Sequence, residues 1–124
     1  MGKAARGTDG RTFPWGEDEP NKNRCNFDMN EGDTTAVGSY ASGASPYGCL
    51  DMAGNVFEWC SSQYKEYPYK KADGREDLEA DKHRVLRGGA FYLDRDFVRC
   101  AVRVSFDPRS RDDRVGFRVV APGF

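Results

Sequence analysis

The chain has 124 residues, a length typical of a single domain. Its 19 basic and 20 acidic side chains give a net charge of −1, which predicts no general attraction to nucleic acid or to an anionic membrane surface. There is no apolar run of about 18 residues, so no transmembrane helix is predicted, and no apolar signal segment follows Met1. We therefore expect a cytoplasmic protein.

The first half of the chain predicts one helix end followed by loops. Residues 3–7 have the composition of a last helical turn that stops at Gly7. Residues 13–16 form an aromatic turn, residues 21–33 a polar loop, residues 34–40 a short strand and residues 42–48 another turn.

The second half predicts most of the strands. Apolar and aromatic residues favour strands at 54–60, at 84–91 with a break at Gly88-Gly89, at 97–103 by alternation, and at 116–120. Residues 65–83 are charged and unpatterned, which indicates a solvated loop with a helical turn near 76–81. With 14 glycines and 6 prolines, turns and irregular loops should outweigh long helices.

The cysteines do not predict a zinc site. They stand at positions 25, 49, 60 and 100, and none forms a C-x-x-C pair. Free and mostly buried thiols are favoured in a cytoplasmic protein, with disulfides as the alternative.

Six short motifs occur in an order that resembles the formylglycine-generating enzyme (sulfatase-modifying factor) domain family. They are PWG at 14–16, YG at 47–48, LDMAGNVFEW at 50–59, RVLRGGAF at 84–91, RCAVR at 99–103 and VGFRVV at 115–120. The resemblance implies an α+β, C-type lectin-like fold with small twisted antiparallel sheets, few helices and long ordered loops. We expect residues 1–124 to form a single domain of this kind, truncated at its N-terminal side relative to the family.

The resemblance also implies calcium sites. Carboxylates at Asp51 and Glu58, with backbone carbonyls of Gly54 and Val56, match one family site and are the hard oxygen ligands that Ca²⁺ takes. The alternative is that Glu58 pairs with an arginine from a later strand. A weaker second site is predicted at Asn26, Asp28 and Asp33, where the alternative is a polar turn.

An oxidase of this family would use copper held by two cysteine thiolates, which suit Cu(I). Cys100 matches the second cysteine of that pair, whereas Arg95 stands five residues earlier and cannot bind copper. The resemblance therefore leaves a formylglycine-generating oxidase at Cys100 as the alternative, and a buried structural thiol as the favoured interpretation.

The segment from Arg84 to Val120 contains no Lys, Glu, Gln, Met, Trp or Asn. This composition resembles the variable proteins of diversity-generating retroelements, which carry a variable C-terminal segment on the same lectin-like fold. Aromatic and arginine side chains on a rigid frame are suited to binding. The residues that this resemblance assigns to a ligand are Phe91, Tyr92, Leu93, Asp94, Arg95, Phe97, Val102, Val104, Phe106, Arg109, Asp112 and Asp113.

The alternative for this segment is a structural role, in which Asp–Arg pairs tie loops together. Asp94, Asp96, Asp107, Asp112 and Asp113 partly offset the arginines of this segment, which argues against a phosphate-binding stripe. We predict a non-catalytic module that binds an unknown protein or small ligand, neither nucleic acid nor membrane, and that can form a homo-oligomer through exposed apolar surface.

Overall fold

The computed structural model describes residues 1–121, most of which lie in ordered loops. One short helix, α1 (Gly2–Arg6), precedes four short strands. The strands are β1 (Phe57–Gln63), β2 (Arg84–Arg87), β3 (Arg103–Phe106) and β4 (Val115–Gly116). Two 3₁₀-helices, Ala41–Gly43 and Arg95–Val98, lie in the loops. The α+β class with few helices and long loops is confirmed.

The strands form one small sheet in the order β3-β2-β1-β4. The pairs β1–β2 and β2–β3 are antiparallel, as the resemblance implied, but β4 runs parallel to β1. The sheet is therefore mixed. Among the described residues, no helix has the length and apolar character needed to cross a membrane.

In the part of the chain that the structure describes, the buried apolar side chains form three small clusters. The first surrounds Phe13, Cys25 and Val98 beside the aromatic turn. The second joins α1 to the later chain through Ala5, Met52 and Cys100, and the third lies on one face of the sheet around Phe57, Leu86 and Ala90.

The long loops are ordered because arginines donate to backbone carbonyls. Arg84 is buried, and its guanidinium bonds the carbonyl oxygens of Ser61, Asp77, Leu78 and Ala80 at 2.8–3.1 Å. These bonds fix residues 77–83 against β1 and satisfy backbone groups that no strand or helix pairs.

The turn before β1 is closely packed on the loop of Asn26. Gly54 and Asn55 have φ of 75° and 67°, and the Asn55 amide donates to the Asn26 carbonyl at 2.8 Å. The Asn55 side chain bonds both backbone groups of Thr35 at 3.0 and 3.2 Å. These side-chain bonds take the place of a strand ladder, so the strand predicted at 34–40 is absent.

The remaining predicted elements differ mainly at their ends. The helical turn that stops at Gly7 is confirmed, with the Gly7 amide donating to the Lys3 carbonyl at 2.8 Å. The first strand begins at Phe57 rather than residue 54, because Gly54 and Asn55 are left-handed. The second strand ends at Arg87, before Gly88 and Gly89 with φ of 94° and 72°.

Three further predictions of secondary structure, all in the second half of the chain, are wrong. Residues 97–103 are not a strand, since a 3₁₀-helix ends at Val98 and β3 begins at Arg103. The closing strand spans Val115–Gly116 and not residues 116–120. Residues 76–81 also form turns rather than helix.

Candidate functional site

A concave surface lies between one face of the sheet and the segment that follows Gly89, and it encloses a volume of about 250 Å³. Its floor is apolar and consists of Phe57, Leu86, Val104, Phe106 and Val115. Leu86 pairs with Val104 across β2–β3, and Phe57 with Val115 across β1–β4, so all four strands contribute to this floor.

One side of the concave surface is the short 3₁₀-helix. Asp94 begins it by accepting a hydrogen bond from the Asp96 amide at 2.9 Å. Val98 then points into the core while Phe97 remains 40% exposed beside the concave surface. A Cβ atom at Gly89 would lie 2.7 Å from the Phe97 carbonyl oxygen, so only glycine permits this packing.

The edge of the concave surface also carries a compact ion pair. Arg114 donates two bonds to Asp112 at 2.6 and 2.7 Å, and its guanidinium lies 5.0 Å from the centre of the Tyr92 ring. These hydrogen bonds from Arg114 lower the pKa of Asp112 well below its usual range. The pair adds little net charge, so the concave surface is an apolar floor with a polar edge.

Six of the predicted ligand-binding residues line this concave surface: Tyr92, Leu93, Phe97, Val104, Phe106 and Asp112. Sequence reasoning did not assign Phe57, Leu86 or Arg114 to it, because only the strand register brings them together.

The other predicted ligand-binding residues have local partners. Phe91 is buried, and its amide donates to the Asn55 carbonyl at 2.9 Å. Arg109 pairs with Asp107 at 2.9 Å, and Asp113 lies 3.5 Å from Arg114. Val102 is half-buried on the loop before β3. These contacts agree with the alternative in which Asp–Arg pairs tie loops.

Positions 95 and 100 do not supply the two thiolates that a copper site would need. Cys100 is buried beside Ala5 and Met52, and burial raises the pKa of its thiol to about 11. Arg95 instead pairs with Glu19 at 2.5 and 2.8 Å and lies over the Phe13 ring. In the described residues, no group of three or more His, Cys, Asp or Glu side chains could hold a metal ion.

Alkylation measures the state of this thiol directly. With a pKa of about 11, roughly one Cys100 in a thousand is thiolate at pH 8, so we expect iodoacetamide to label it roughly a hundredfold more slowly than in urea-unfolded protein. Mass spectrometry of the Cys100 peptide gives both rates. Equal rates would contradict the buried-thiol interpretation.

The same pKa shift has a consequence for stability. Because the folded-state pKa lies above the ordinary value of 9.0, the thiol contributes stability that is present below pH 9.0 and is lost as pH rises through about 11.

The first predicted calcium site has its carboxylates engaged elsewhere. Both oxygens of Glu58 accept bonds from Arg118 at 2.6 Å, and one oxygen of Asp51 accepts from the Gly38 amide at 2.7 Å. A calcium ion at Glu58 would have to displace this guanidinium, and calcium at Asp51, Gly54, Val56 and Glu58 stays a prediction. Glu58 has the arginine partner that the alternative predicted.

The second predicted site holds an unpartnered acceptor. Asn26 is fully buried, and its amide nitrogen donates to the Asp33 carbonyl at 2.8 Å and to the Thr35 hydroxyl at 3.2 Å. Its side-chain oxygen has no hydrogen-bond partner among the described residues. Buried acceptors are seldom left unpaired, and a cation is one partner that would satisfy this oxygen.

Comparison with known proteins identifies the family. The profile of the sulfatase-modifying factor enzyme 1-like domain matches residues 1–122. The chain belongs to this family. The fold agrees, since Treponema denticola variable protein 1 superimposes with a TM-score of 0.68 at 28% identity, over 94% of this chain and 41% of that one.

The curated proteins that resemble this chain are diverse. The chain is 39% identical to the serine/threonine-protein kinase pkn1 of Chlamydia caviae, over 86% of this chain and 17% of that protein. It is 32% identical to the formylglycine-generating enzyme of Thermomonospora curvata, over 95% of this chain and 46% of the enzyme. The chain thus spans less than half of each relative.

Proposed function

We propose that this chain is a non-catalytic binding module of the sulfatase-modifying factor family, with its ligand surface in the C-terminal segment. The observation that carries this proposal is the concave surface, whose apolar floor is built by the sheet and whose edges come from residues 92–97 and 112–114. An apolar recess with a few polar groups at its edge is the usual form of a ligand site. Its volume of about 250 Å³ suits one aromatic or large aliphatic side chain of a protein partner, or a small ring.

The proposal also states that the residues at the edge of the concave surface belong to a segment whose sequence varies. The similarity to a protein called a variable protein supports it, as does the restricted composition of residues 84–120. The side chains of Tyr92 and Phe97 are partly exposed, so replacing them changes the surface without opening the core.

Stability measurements test whether the edge residues can be replaced without loss of the core. Tyr92→Ser and Phe97→Ser should each lower the free energy of unfolding by less than about 1.5 kcal/mol, whereas Leu86→Ala, with a buried side chain, should cost about 3 kcal/mol. Urea unfolding gives all three values. Equal costs would mean that the edge residues are part of the core and not a changeable surface.

The DNA around the coding sequence tests whether the C-terminal segment is varied by a diversity-generating retroelement. We expect a neighbouring reverse transcriptase gene and an adenine-rich near-copy of the final coding segment. Without them, a generic interaction domain would remain.

The competing hypothesis is a copper-dependent formylglycine-generating oxidase, which the similarity to the Thermomonospora curvata enzyme favours. The buried Cys100 and the absence of a second thiol at Arg95 oppose it. Copper with a sulfatase-motif peptide should give no turnover. Turnover that is lost in Cys100→Ser would establish the oxidase and overturn the proposal.

We also propose structural calcium at the Asn26 loop, supported by the unpartnered Asn26 oxygen. Saturating calcium should raise the free energy of unfolding by about 1–3 kcal/mol, and magnesium should not. Asp33→Asn should reduce this effect, and Asp51→Asn should leave it unchanged. A calcium effect that depends on Asp51 rather than Asp33 would move the site to Asp51 and Glu58.

A further inference from the structure

A second and larger recess lies on the opposite face of the sheet. Its volume is about 1210 Å³, and α1, β1 and the loop at residues 67–75 contribute to its walls. We call it the arginine groove, defined by Arg87, Arg103, Tyr67 and Tyr69. None of the predicted ligand-binding residues lies in it.

Charged residues occupy adjacent positions across this face. Arg103 pairs with Arg87 across β2–β3, and Arg87 pairs with Glu58 across β1–β2. Glu58 would neutralise Arg87, but both of its oxygens are held by Arg118 at 2.6 Å. Two positive side chains are therefore cross-strand neighbours, which is unfavourable without a counter-charge.

Neither arginine has an acidic partner among residues 1–121. The aspartates that balance the arginines in number pair elsewhere, such as Asp107 with Arg109 and Asp112 with Arg114. The count of charges in the sequence therefore hides a local excess of positive charge in the groove.

Tyr67 orients both guanidinium groups. Its hydroxyl accepts a bond from Arg87 at 3.1 Å, and its ring centre lies 4.0 Å from the Arg103 guanidinium carbon. Arg87 also donates to the Cys100 carbonyl at 3.0 Å, and Arg103 to the Lys65 carbonyl at 2.6 Å. Within the described chain, Arg103 donates a hydrogen bond through Nη1 alone, so its Nε and Nη2 donors remain available to a ligand.

We propose that Arg87 and Arg103 together bind a tetrahedral oxyanion, the phosphate or sulfate group of a small molecule. Two fixed guanidinium groups match the charge of a phosphate dianion and can each donate to it. The groove is much larger than one such ion, and Tyr67 and Tyr69 offer ring surfaces beside it. The rest of the ligand is therefore an aromatic or apolar group, and phenyl phosphate is a suitable probe.

Isothermal titration with phenyl phosphate, inorganic phosphate, inorganic sulfate and acetate tests the proposal. All four are compared at constant ionic strength, because sulfate and phosphate stabilise most proteins non-specifically. We expect saturable binding of the tetrahedral anions, tightest for phenyl phosphate, and weaker binding of acetate. Sulfate binding more tightly than phosphate would assign the site to sulfate groups. No saturable binding of either anion would overturn the proposal.

Variants locate the site. Arg103→Gln should weaken phenyl phosphate binding roughly tenfold or more. Arg111→Gln is the matched control, because Arg111 is exposed and has no ion pair or side-chain hydrogen bond among the described residues. Equal affinity in Arg103→Gln and the unchanged protein would overturn the proposal.

Chemical protection gives a readout that does not depend on a variant folding. Phenyl phosphate should slow phenylglyoxal modification of the Arg87 and Arg103 peptides while Arg111 reacts at its usual rate. Unchanged modification of Arg87 and Arg103 would count against the site. Because the groove and the concave surface lie on opposite faces, failure here leaves the proposed binding function untouched.

Discussion

Replacement of Gly54 by alanine should lower the free energy of unfolding by about 3 kcal/mol or more. A Cβ atom at this position would lie 2.2 Å from the Asn26 carbonyl oxygen, and the φ of 75° disfavours any side chain. The left-handed backbone costs about 1 kcal/mol and overpacking a further 1–3 kcal/mol. The bond from the Asn55 amide to the same carbonyl would also be disturbed. Urea unfolding measures the loss.

Gly74→Ala is the matched control for this variant. Gly74 has a similar φ of 82°, but a Cβ atom there would meet nothing within 4 Å. Its cost should therefore be about 1 kcal/mol, from the backbone alone. Equal losses for the two variants would mean that the close approach of the Asn26 loop to this turn contributes nothing to stability.

Replacement of Arg118 by glutamine should cost about 2–3 kcal/mol. The side chain of Glu58 is only 8% exposed, and the substitution would leave its carboxylate without a counter-charge. Arg118 also bonds the carbonyl oxygens of Leu50 and Asp51 at 2.9 and 3.0 Å, and these would be lost. Because Arg118 itself is partly exposed, we place the effect below that of a fully buried pair.

The double variant Glu58→Gln/Arg118→Gln separates the two contributions. It contains no unpaired carboxylate, so it should be more stable than Arg118→Gln alone. Chemical unfolding of both variants and of Glu58→Gln completes the cycle. A double variant that is less stable than either single variant would contradict an ion pair as the source of the effect.

The Glu58–Arg118 pair lies in the wall of the arginine groove. It anchors the chain after β4 to the turn before β1, and it leaves Arg87 without a carboxylate in the arginine groove. The same contact thus stabilises the chain after β4 and leaves the unbalanced charge from which we infer an anion site.

The sequence alone was sufficient for the family and for the α+β class. The motifs around Gly54, Gly88 and Gly116 consist of consecutive residues, so they can be recognised without the tertiary structure. The helix end at Gly7 could also be predicted, since it depends on neighbouring residues and the conformational freedom of glycine.

The bounds of the last strands depended on contacts between distant residues. The alternation at 97–103 is real, since Val98 and Cys100 are buried. However, the Asp94 cap and the approach of Phe97 to Gly89 turn the chain into a 3₁₀-helix. Alternation alone cannot reveal such a contact.

Partner choice among the charged side chains was decided only by the tertiary structure. Composition shows nearly equal numbers of acidic and basic residues, but not that Glu58 binds Arg118 while Arg87 and Arg103 stay without acids in the described chain. The sheet register places these residues side by side, and it is fixed by pairing between segments far apart in sequence. The sequence by itself therefore determined the family and its motifs, and the tertiary structure determined which side chains lie together on each face of the sheet.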